Sequence, residues 1–499
     1  MMLQQNRITC RVLFLSVSLL FGTGEGLSSS TSSSSFATKP TVRLNENIFD
    51  GPLPESVDVL IAGGGLGGLA TCIGLRNRGI DAHVIEASPK LLRGSTGTGI
   101  MISPNGFSAL DSIAACGNVN LSESMRSFGA KIGEQHIRMT DQGTGHVDKE
   151  VTFGSYFDKY GMDQYNIGWA RAHEVLARAV PPEVVHTDCK LESFESMADE
   201  TTGKKNSAVK VTLEDGRTIA TSLLIGADGF GSKVRQMLAG DRKCKTRFNN
   251  QLLWNAILPT DQFPNGPLHK EGGVEFINCG GEGQAVLIFD SGEGQTAWYL
   301  TLMEKDAPDI VTKAIADETF GGFGPQRGIK SALKEAFAKW PMALECLEAT
   351  PEDKIFERRQ ADRPKLLKWS SRRRKGAGGR VVLMGDAAHP MIPSLGQGTM
   401  VTWEDAAELA ASLAPLSSSD QPFDSKGVPK TVRGFVKRRA KRCAMVQQAS
   451  REQRMGKPLP KFFPLKICTM LQRQSRMAIM FGHTSPGAKN PAPSASDQS

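Results

Sequence analysis

Cysteine is scarce in this chain of 499 residues, and its nine cysteines never form a C-x-x-C pair. The eight histidines are equally scattered. This spacing excludes a disulfide-rich scaffold and argues against a structural zinc site or a thioredoxin-like redox centre. The sequence also contains no G-x-S-x-G, Walker or H-E-x-x-H motif. The corresponding hydrolase, nucleoside triphosphatase and metalloprotease chemistries are therefore not expected.

The composition is that of an ordinary soluble protein, with 39% hydrophobic and 22% charged residues. It excludes collagen-like, wholly disordered and multi-pass membrane classes, and the length predicts two or three lobes. The net charge of +8 is uneven: residues 353–380 hold eleven Lys or Arg against three acids, residues 426–466 hold thirteen against one, and the rest carries −12. This basic strip suits a membrane surface, an acidic redox partner, a phosphate-bearing cofactor or plain solvent. It lacks interleaved aromatic residues, so nucleic acid is not expected as a partner.

The first fifty residues are typical of a targeting presequence. Arg7 and Arg11 precede an apolar run of about ten residues, too short to span a bilayer comfortably but suited to a secretory signal. Eight consecutive Ser or Thr residues follow at 28–35, and then Phe36. The combination resembles the two-part presequences of plastids of secondary endosymbiotic origin, so we expect a plastid protein, with secretion or a signal anchor as alternatives. Residues 484–499 are expected to form a disordered tail.

A dinucleotide-binding unit is predicted within residues 56–90. A short apolar strand at 57–62 runs into a glycine cluster, and a helix at 66–78 ends before Gly79. A second strand follows and ends at Glu86, 18 positions beyond the last fingerprint glycine. The glycines that satisfy G-x-G-x-x-G are Gly63, Gly65 and Gly68. They suit a tight turn, the approach of a pyrophosphate and close helix packing, while Glu86 suits a ribose hydroxyl.

Two later strands also end in polar and glycine-rich segments. One ends at residue 225 and is followed by Asp228-Gly229, with Ser232 and Arg235 beyond. The other begins at Arg380 and ends in Gly385-Asp386. Ligands of doubly wound sheets bind at the carboxyl ends of strands, so we expect these segments to lie near the glycine loop.

The three motifs, in this order, resemble the FAD-dependent aromatic-hydroxylase family of single-component flavoprotein monooxygenases over residues 56 to about 455. The resemblance implies FAD as cofactor, NAD(P)H or another electron donor as cosubstrate, and transfer of one oxygen atom from O2 through a flavin hydroperoxide. It places Asp228 and Gly229 near the pyrophosphate and the nicotinamide path, and Asp386 at the ribityl and ribose region. Arg171, within a looser motif, falls where the family has an arginine near the flavin; it is the one candidate catalytic residue.

The loop at 393–398 has a separate physical interpretation. Gly396 and Gly398 let backbone amides approach the flavin ring, and the helix expected to start near Thr399 directs its positive end at the pyrimidine half of the ring. The expected cofactor-binding residues are therefore Gly63, Gly65, Gly68, Glu86, Arg171, Asp228, Gly229, Gly385, Asp386, Pro393, Gly396, Gln397 and Gly398. No metal site is expected.

The expected fold class is α/β: a Rossmann-type FAD-binding domain with an inserted mixed-sheet substrate domain and a C-terminal helical region. We assign 1–50 to the presequence, 51–240 and 380–425 to the FAD domain, 241–379 to the substrate domain, 426–483 to basic helices and 484–499 to the tail. Residues 100–165 are expected to lie partly on the substrate side. The basic helices are candidates for peripheral membrane contact.

The substrate is expected to be small and apolar. Residues 357–364, Trp369 and Trp298-Tyr299 are most similar to the zeaxanthin epoxidases within the family, which implies epoxidation of a carotenoid such as zeaxanthin. A hydroxylase of a small phenolic or quinone-type compound and a catalytically silent flavin-binding protein are the alternatives. The aromatic residues proposed to line the pocket, each equally suited to plain core, are Trp254, Phe289, Trp298 and Tyr299.

Overall fold

The computed structural model describes residues 51–454 and 485–486, except for 93, 95–96, 141–145, 155–162, 199–206, 279–282, 324–326, 372–376 and 419. The presequence, the second half of the basic C-terminal region and nearly all of the expected tail lie outside the described residues. Ser485 and Pro486 contact the helix at 104–114, where the amide of Ser485 donates to Ser108 Oγ at 2.8 Å.

Eighteen strands are present in the described part of the chain. They are β1 (Ser56–Ala62), β2 (Ala82–Ile85), β3 (Gly99–Ile102), β4 (Ala130–Lys131), β5 (Gln135–Thr140), β6 (Val147–Phe153), β7 (Tyr165–Gly168), β8 (Val185–His186), β9 (Leu191–Met197), β10 (Ala208–Leu213), β11 (Thr218–Gly226), β12 (Arg247–Pro259), β13 (Val274–Asn278), β14 (Ala285–Asp290), β15 (Gln295–Met303), β16 (Gly322–Phe323), β17 (Phe356–Asp362) and β18 (Val381–Leu383).

Twelve α-helices are described alongside these strands. They are α1 (Leu66–Arg76), α2 (Pro104–Ala114), α3 (Leu121–Phe128), α4 (Trp169–Ala179), α5 (Lys233–Ala239), α6 (Asp241–Cys244), α7 (Asp309–Ala316), α8 (Ile329–Ala336), α9 (Pro341–Ala349), α10 (Gly385–Ala388), α11 (Gly398–Leu413) and α12 (Val428–Arg454). Short 3₁₀ turns occupy Pro182–Val184, Thr260–Gln262, Glu304–Asp306, Glu352–Lys354, Pro393–Leu395 and Ala414–Leu416.

The first sheet has seven strands and places the motifs of the sequence at one edge. β8, β2, β1 and β11 are parallel neighbours, and β11 continues into the antiparallel strands β10 and β9. β11 is long enough that its first half pairs with β10 while its end, from Leu224, pairs in parallel with β18. The carboxyl ends of β1, β11 and β18 therefore meet, which is where doubly wound sheets bind ligands.

The second sheet has eight strands in the order β16-β17-β12-β15-β14-β13-β5-β6, antiparallel except for β13 and β5. One face packs on helices α7 to α9 around a core that contains Trp254, Trp298 and Phe337. The other face, which carries Phe289, Tyr299 and Ile257, meets the three-stranded sheet β3-β7-β4. We call the space between these two sheets the interlayer. The expected α/β fold class, with its Rossmann-type unit and mixed second sheet, is confirmed by this architecture.

The long helix α12 packs on α11 and contributes to the core of the first sheet. Val432, Phe435 and Val446 on its inner side are fully buried. Of the helices described, none combines the length and apolar character that crossing a bilayer requires. Basic residues of α12 form ion pairs with acids of α11: Arg438 with Glu408, and Arg439 with Asp405.

Candidate cofactor site

In the glycine loop between β1 and α1, two glycines are required by close packing and a third has free space beside it. Gly63 has φ +112°, and a Cβ there would lie 2.4 Å from the carbonyl oxygen of Ala227. A Cβ on Gly68 would lie 1.8 Å from the oxygen of Gly63, so α1 packs this closely only without a side chain. A Cβ on Gly65 would have no atom within 4 Å. Protein packing thus requires Gly63 and Gly68, while the space at Gly65 fits a phosphate beside the helix N-terminus.

Glu86 lies directly after β2 and closes one side of this loop. Its Oε2 accepts a hydrogen bond from the amide of Gly64 at 2.8 Å, and its Oε1 accepts one from Ser88 at 2.9 Å. The side chain is buried. This position beside the glycine loop is compatible with binding a ribose hydroxyl, because a carboxylate has further acceptor capacity.

The segment after β18 approaches the loop from the neighbouring strand end. Gly385 has φ +55°, and its amide donates to Asp405 Oδ2 at 3.1 Å. The next residue, Asp386, is exposed, although the protein around it partly desolvates its carboxyl. Burial raises the pKa of its carboxyl, and the charge of His389 opposes that rise. In the described structure no hydrogen bond to the Asp386 carboxylate is found, so its oxygens are available to accept hydrogen bonds from a ligand.

Thr402 on α11 brings three chain segments together. A Cβ on Gly67 would lie 2.5 Å from Thr402 Cγ2, and one on Gly385 would lie 3.0 Å from the same atom. The N-termini of α1 and α11 and the end of β18 thus converge around one space. This convergence fits a cofactor with a pyrophosphate, since both helices present N–H groups and a positive dipole end there.

In the loop before α11, some residues are exposed to solvent and one is buried in the core. Pro393 and Gly396 are exposed, and a Cβ on Gly396 would meet no atom within 4 Å. Gln397, in contrast, is buried: its Nε2 donates to Ser103 Oγ at 3.0 Å, and its Oε1 accepts from Asn105 Nδ2 at 3.0 Å. The side chain of Gln397 therefore anchors the loop. At Gly398, where α11 begins, backbone amides are the groups available for a ligand.

Asp228, two residues after β11, forms its side-chain hydrogen bonds with other residues of the protein. Its Oδ1 accepts from Ser232 Oγ at 2.5 Å, and its Oδ2 accepts from the amide of Val234 at 3.1 Å. Burial raises the pKa of Asp228, and these hydrogen bonds oppose the rise. The carboxylate thereby caps α5 and orients the turn at Gly229, which has φ +74°.

Arg235 forms hydrogen bonds with the backbone of the segment that carries Asp386. Its buried guanidinium donates to the carbonyl oxygens of Ala387 at 3.0 Å and Ala388 at 2.7 Å. It also donates to the carbonyls of Lys243 and Pro364. These contacts indicate that Arg235 positions the backbone. The sequence alone did not tell whether Arg235 contacts the protein or a ligand near the expected nicotinamide path.

Arg171 lies on α4 at a cleft between this helix and the turn that joins β14 to β15. Its Nη1 lies 2.5 Å from Glu174 Oε2, and its Nε donates to Glu293 Oε2 at 2.7 Å across the cleft. The cleft has a volume of about 290 Å³ and includes Gly168 and Ile257 among its walls. His173, two residues further along α4, is hydrogen-bonded through Nε2 to the Gly64 carbonyl at 2.7 Å, which connects this cleft to the glycine loop.

A buried ionic network supports the strand end at Gly385, and the sequence did not predict it. Asp405 Oδ2 lies 2.6 Å from His389 Nε2, and Asp405 Oδ1 accepts from Arg439 Nε at 2.7 Å. Burial acts to raise the pKa of Asp405, but the charges of His389 and Arg439 outweigh it and lower this pKa to about 2. Burial likewise acts to lower the pKa of His389, but Cys443 and Asp405 raise it well above its usual range.

His389, Asp405 and Cys443 also offer ligand atoms within 4.8 Å of one another. The guanidinium of Arg439 already contacts two of these residues, since its Nη2 lies 3.4 Å from Cys443 Sγ. The guanidinium of Arg439 thus already compensates the charge of Asp405, as a metal ion would. An acid-rich α11 facing the basic run of α12 was the only sequence signal for this network.

The four aromatic residues expected to line a substrate pocket fall on opposite faces of the second sheet. Phe289 and Tyr299 face the interlayer, where the Tyr299 hydroxyl accepts from the Gly99 amide at 2.6 Å. Trp254 and Trp298 pack under helices α7 to α9 and are fully buried. The prediction is therefore wrong for these two tryptophans, because alternate residues of a strand point to opposite faces.

Comparison with known proteins agrees with this geometry. The model of the FAD binding domain family matches residues 56–319 and 330–421. The chain is 28% identical to the chloroplastic zeaxanthin epoxidase of Prunus armeniaca over 408 residues, covering 80% of this chain and 55% of that protein. It is 29% identical to the aurachin C monooxygenase/isomerase of Stigmatella aurantiaca over 367 residues, covering 72% and 82%. The chain thus spans about half the length of the zeaxanthin epoxidases it matches.

Among solved structures, the fold is similar to that of HpxO from Klebsiella pneumoniae in complex with FAD and uric acid. The TM-score is 0.63 at 20% identity, with 84% of this chain and 92% of that chain covered. The 2,6-dihydroxypyridine-3-hydroxylase of Arthrobacter nicotinovorans gives a TM-score of 0.57 at 16% identity, covering 87% and 96%. The family match covers more than half of the sequence, and the chain belongs to the FAD binding domain family.

Proposed function

We propose that this protein is an FAD-dependent monooxygenase that transfers one oxygen atom from O2 to a hydrophobic, ring-containing substrate. The observation that carries the proposal is the open space at Gly65, near the point where two helix N-termini and three strand ends converge, with the exposed Asp386 after one of these strands. The monooxygenase relatives named above support the reaction class. When bound and reduced, FAD supplies the activation of O2.

Each group in this space has a task that follows from its chemistry. The amides at the start of α1 would bind the pyrophosphate, and the Asp386 carboxylate would accept hydrogen bonds from hydroxyl groups of the cofactor. Backbone amides at Gly396 and Gly398 would approach the flavin ring, where the dipole of α11 stabilises negative charge. Arg171 would be available at the cleft for an anionic or oxygen-bearing group once released from Glu293.

Zeaxanthin, converted to its epoxide, is the first substrate we propose, because the zeaxanthin epoxidases are among the relatives. The interlayer supports an apolar ring, since Phe289, Tyr299 and Ile257 face it. A small phenolic or heteroaromatic compound is the second candidate. It is supported by the compounds named with two structurally similar proteins, uric acid and 2,6-dihydroxypyridine, while the buried amides of the interlayer could hydrogen-bond a ring hydroxyl of either candidate.

The experiment combines a visible spectrum of the purified protein with oxygen-uptake assays. NADPH, NADH and reduced ferredoxin serve as donors, and zeaxanthin and simple phenols serve as substrates. The proposal expects bound flavin and substrate-dependent oxygen consumption with a monooxygenated product. Bound flavin without oxygen transfer to any compound would support the silent flavin-binding alternative instead.

We further propose that the protein works in a plastid, at a membrane surface. The chloroplastic relatives and the presequence pattern support the plastid, with the secretory pathway as the alternative. Basic residues of α12 that do not face α11, such as Lys437 and Lys441, are the candidates for contact with anionic lipids. Microscopy of a fluorescent fusion tests the compartment. Flotation with anionic liposomes, which should weaken as salt rises, tests the contact.

A further inference from the structure

Two buried amide side chains, Gln164 just before β7 and Asn166 within it, have no hydrogen-bond partner in the part of the chain that the structure describes. Gln164 is 1% exposed and Asn166 is 0% exposed. Neither the oxygen nor the nitrogen of either side chain bonds to any group in the described structure. Buried polar groups are nearly always paired, so two complete unpaired amides, two residues apart, require an explanation.

Both side chains face the interlayer. Asn166 is paired with Met101 across β3 and β7, and Met101 packs against the interlayer core. Along the same two strands Gly99 pairs with Gly168, and a Cβ on Gly99 would lie 2.5 Å from the ring of Phe289. The amide of Ile132 donates to the Gln164 carbonyl at 2.9 Å, which continues the pairing of β4 with β7, and Ile132 belongs to the interlayer core. Residues opposite each other on antiparallel strands share a face, so Gln164 and Asn166 point to the side of Phe289 and Tyr299.

The face of β7 that carries Asn166 also reaches a cleft. Gly168, on the same face, borders the 290 Å³ cleft together with Ile257. Across the interlayer, fully buried Asn255 donates through Nδ2 to the Gly97 carbonyl, while its Oδ1 has no partner in the described structure. Apolar walls with a few convergent polar groups are the usual construction of a small-molecule site.

We propose that the amides of Gln164 and Asn166 bind a polar group on the ring of the substrate, one that donates one hydrogen bond and accepts another. A ring hydroxyl and a lactam both have this chemistry. The inference rests on the proposed function, whose substrate class it narrows. A primary amide offers two N–H donors and a carbonyl acceptor, so it can satisfy both requirements of such a group.

The consequence for specificity is strong discrimination against all-hydrocarbon analogues. A site built to hydrogen-bond a substrate rejects the analogue that lacks the polar group, because the buried amides then stay unpaired. The matched probes are zeaxanthin against β-carotene, which lacks the ring hydroxyls, and 2-quinolone against naphthalene, which lacks the lactam.

Stability measurements separate this role from a structural one. Asn166→Leu and Gln164→Met remove unpaired groups, so we expect both variants to unfold at a higher temperature than the wild type. The control is Asn105→Leu. Asn105 is equally buried, but its Nδ2 donates to Gln397 and Glu404, so this variant should unfold at a lower temperature.

Binding to the flavin-loaded protein is measured by equilibrium dialysis, in detergent for the carotenoids. We expect Asn166→Leu and Gln164→Met to weaken the binding of at least one polar probe about tenfold or more, and to leave its apolar counterpart unchanged. The polar probe affected tells whether a hydroxyl or a lactam is recognised. Wild-type affinity for all four probes in the variants, or no wild-type preference for a polar probe, would overturn the inference. Amide-dependent binding without oxygen uptake would instead refute the monooxygenase proposal.

Discussion

The carboxylate of Asp405 lies 2.6 Å from Nε2 of His389, and both side chains are excluded from solvent. Asp405 also accepts hydrogen bonds from the amide of Gly385 and from Arg439. A single buried carboxylate thus connects the strand end that carries Asp386 to α12. The C-terminal helix is in this way part of the support of the cofactor site.

Replacing Asp405 should destabilise the fold strongly. Asp405→Asn keeps the size of the side chain but leaves the protonated His389 without its buried counter-charge, and leaves Arg439 with Glu404 as its one buried acidic partner among the described residues. Loss of one partner from a buried ion pair typically costs about 3–5 kcal/mol. Urea unfolding measures this difference. A loss below about 1 kcal/mol, comparable to that of an exposed ion pair, would contradict the account.

The same pair predicts two opposite pH dependences. The pKa of Asp405 is lowered to about 2, so its stabilisation is present above the ordinary value and is lost as the pH falls towards 2. The free-energy difference between wild type and Asp405→Asn should therefore shrink in acid. The pKa of His389 is raised, so its stabilisation is present below about 6.5 and is lost as the pH rises through the raised value. The difference from His389→Gln should shrink in alkali, as measured by denaturation across pH.

Two neighbouring glycines should respond differently to the same substitution. Gly65→Val meets no atom within 4 Å and has an extended backbone, so we expect a folded protein that has lost most of its FAD affinity. Gly68→Val would force a Cβ to 1.8 Å from the Gly63 oxygen and should prevent folding of the loop. Circular dichroism and FAD titration distinguish the two effects. Equal loss of structure in both variants would show that the space at Gly65 is not a ligand space.

Asp386 is expected to lower the stability of the FAD-free protein and to strengthen the binding of FAD. Burial raises the pKa of its carboxyl, so the ionised form is disfavoured in the fold. The stability of the FAD-free protein should therefore fall as the pH rises from the ordinary value through the raised one, and Asp386→Ala should remove this fall. The variant should melt at a higher temperature without FAD, yet bind FAD about tenfold more weakly or worse. Unchanged FAD affinity would remove Asp386 from the site.

Substitutions on the two faces of the second sheet should have different effects on the KM for substrate. Tyr299→Phe removes the hydroxyl bonded to the Gly99 backbone in the interlayer and should raise the KM for substrate, with a stability loss of about 1 kcal/mol. Trp298→Phe lies under the helices and should lower stability while leaving KM unchanged. Steady-state kinetics with the identified substrate check this, and a KM effect confined to Trp298→Phe would reverse the assignment of faces.

Local patterns in the sequence predict much of this fold. The strand expected at 57–62 is β1, which begins one residue earlier, and the glycine cluster lies between this strand and α1 as expected. The helix expected to reach residue 78 ends at Arg76, because the amide of Ile80 bonds back to Leu75 and closes a turn at Gly79. These features depend on residues that are near one another in the chain.

Features that depend on distant residues could not be predicted in the same way. Alternation shows that Trp298 and Tyr299 point to opposite faces, but it does not tell which face meets the helices. The contact of Asp405 with Arg439 needs the packing of α11 on α12, and the unpaired amides of Gln164 and Asn166 become visible only when every neighbour is in place. Long-range packing decides all three.

The central claim is that FAD occupies the space between Gly65 and Asp386. Titration of FAD into flavin-depleted wild-type and Gly65→Val protein, followed by flavin fluorescence, tests it most directly. We predict saturation at one FAD per chain for the wild type and no saturable binding for the variant, while both keep the same circular dichroism spectrum. Equal FAD binding by the two proteins, or none by the folded wild type, would contradict the claim.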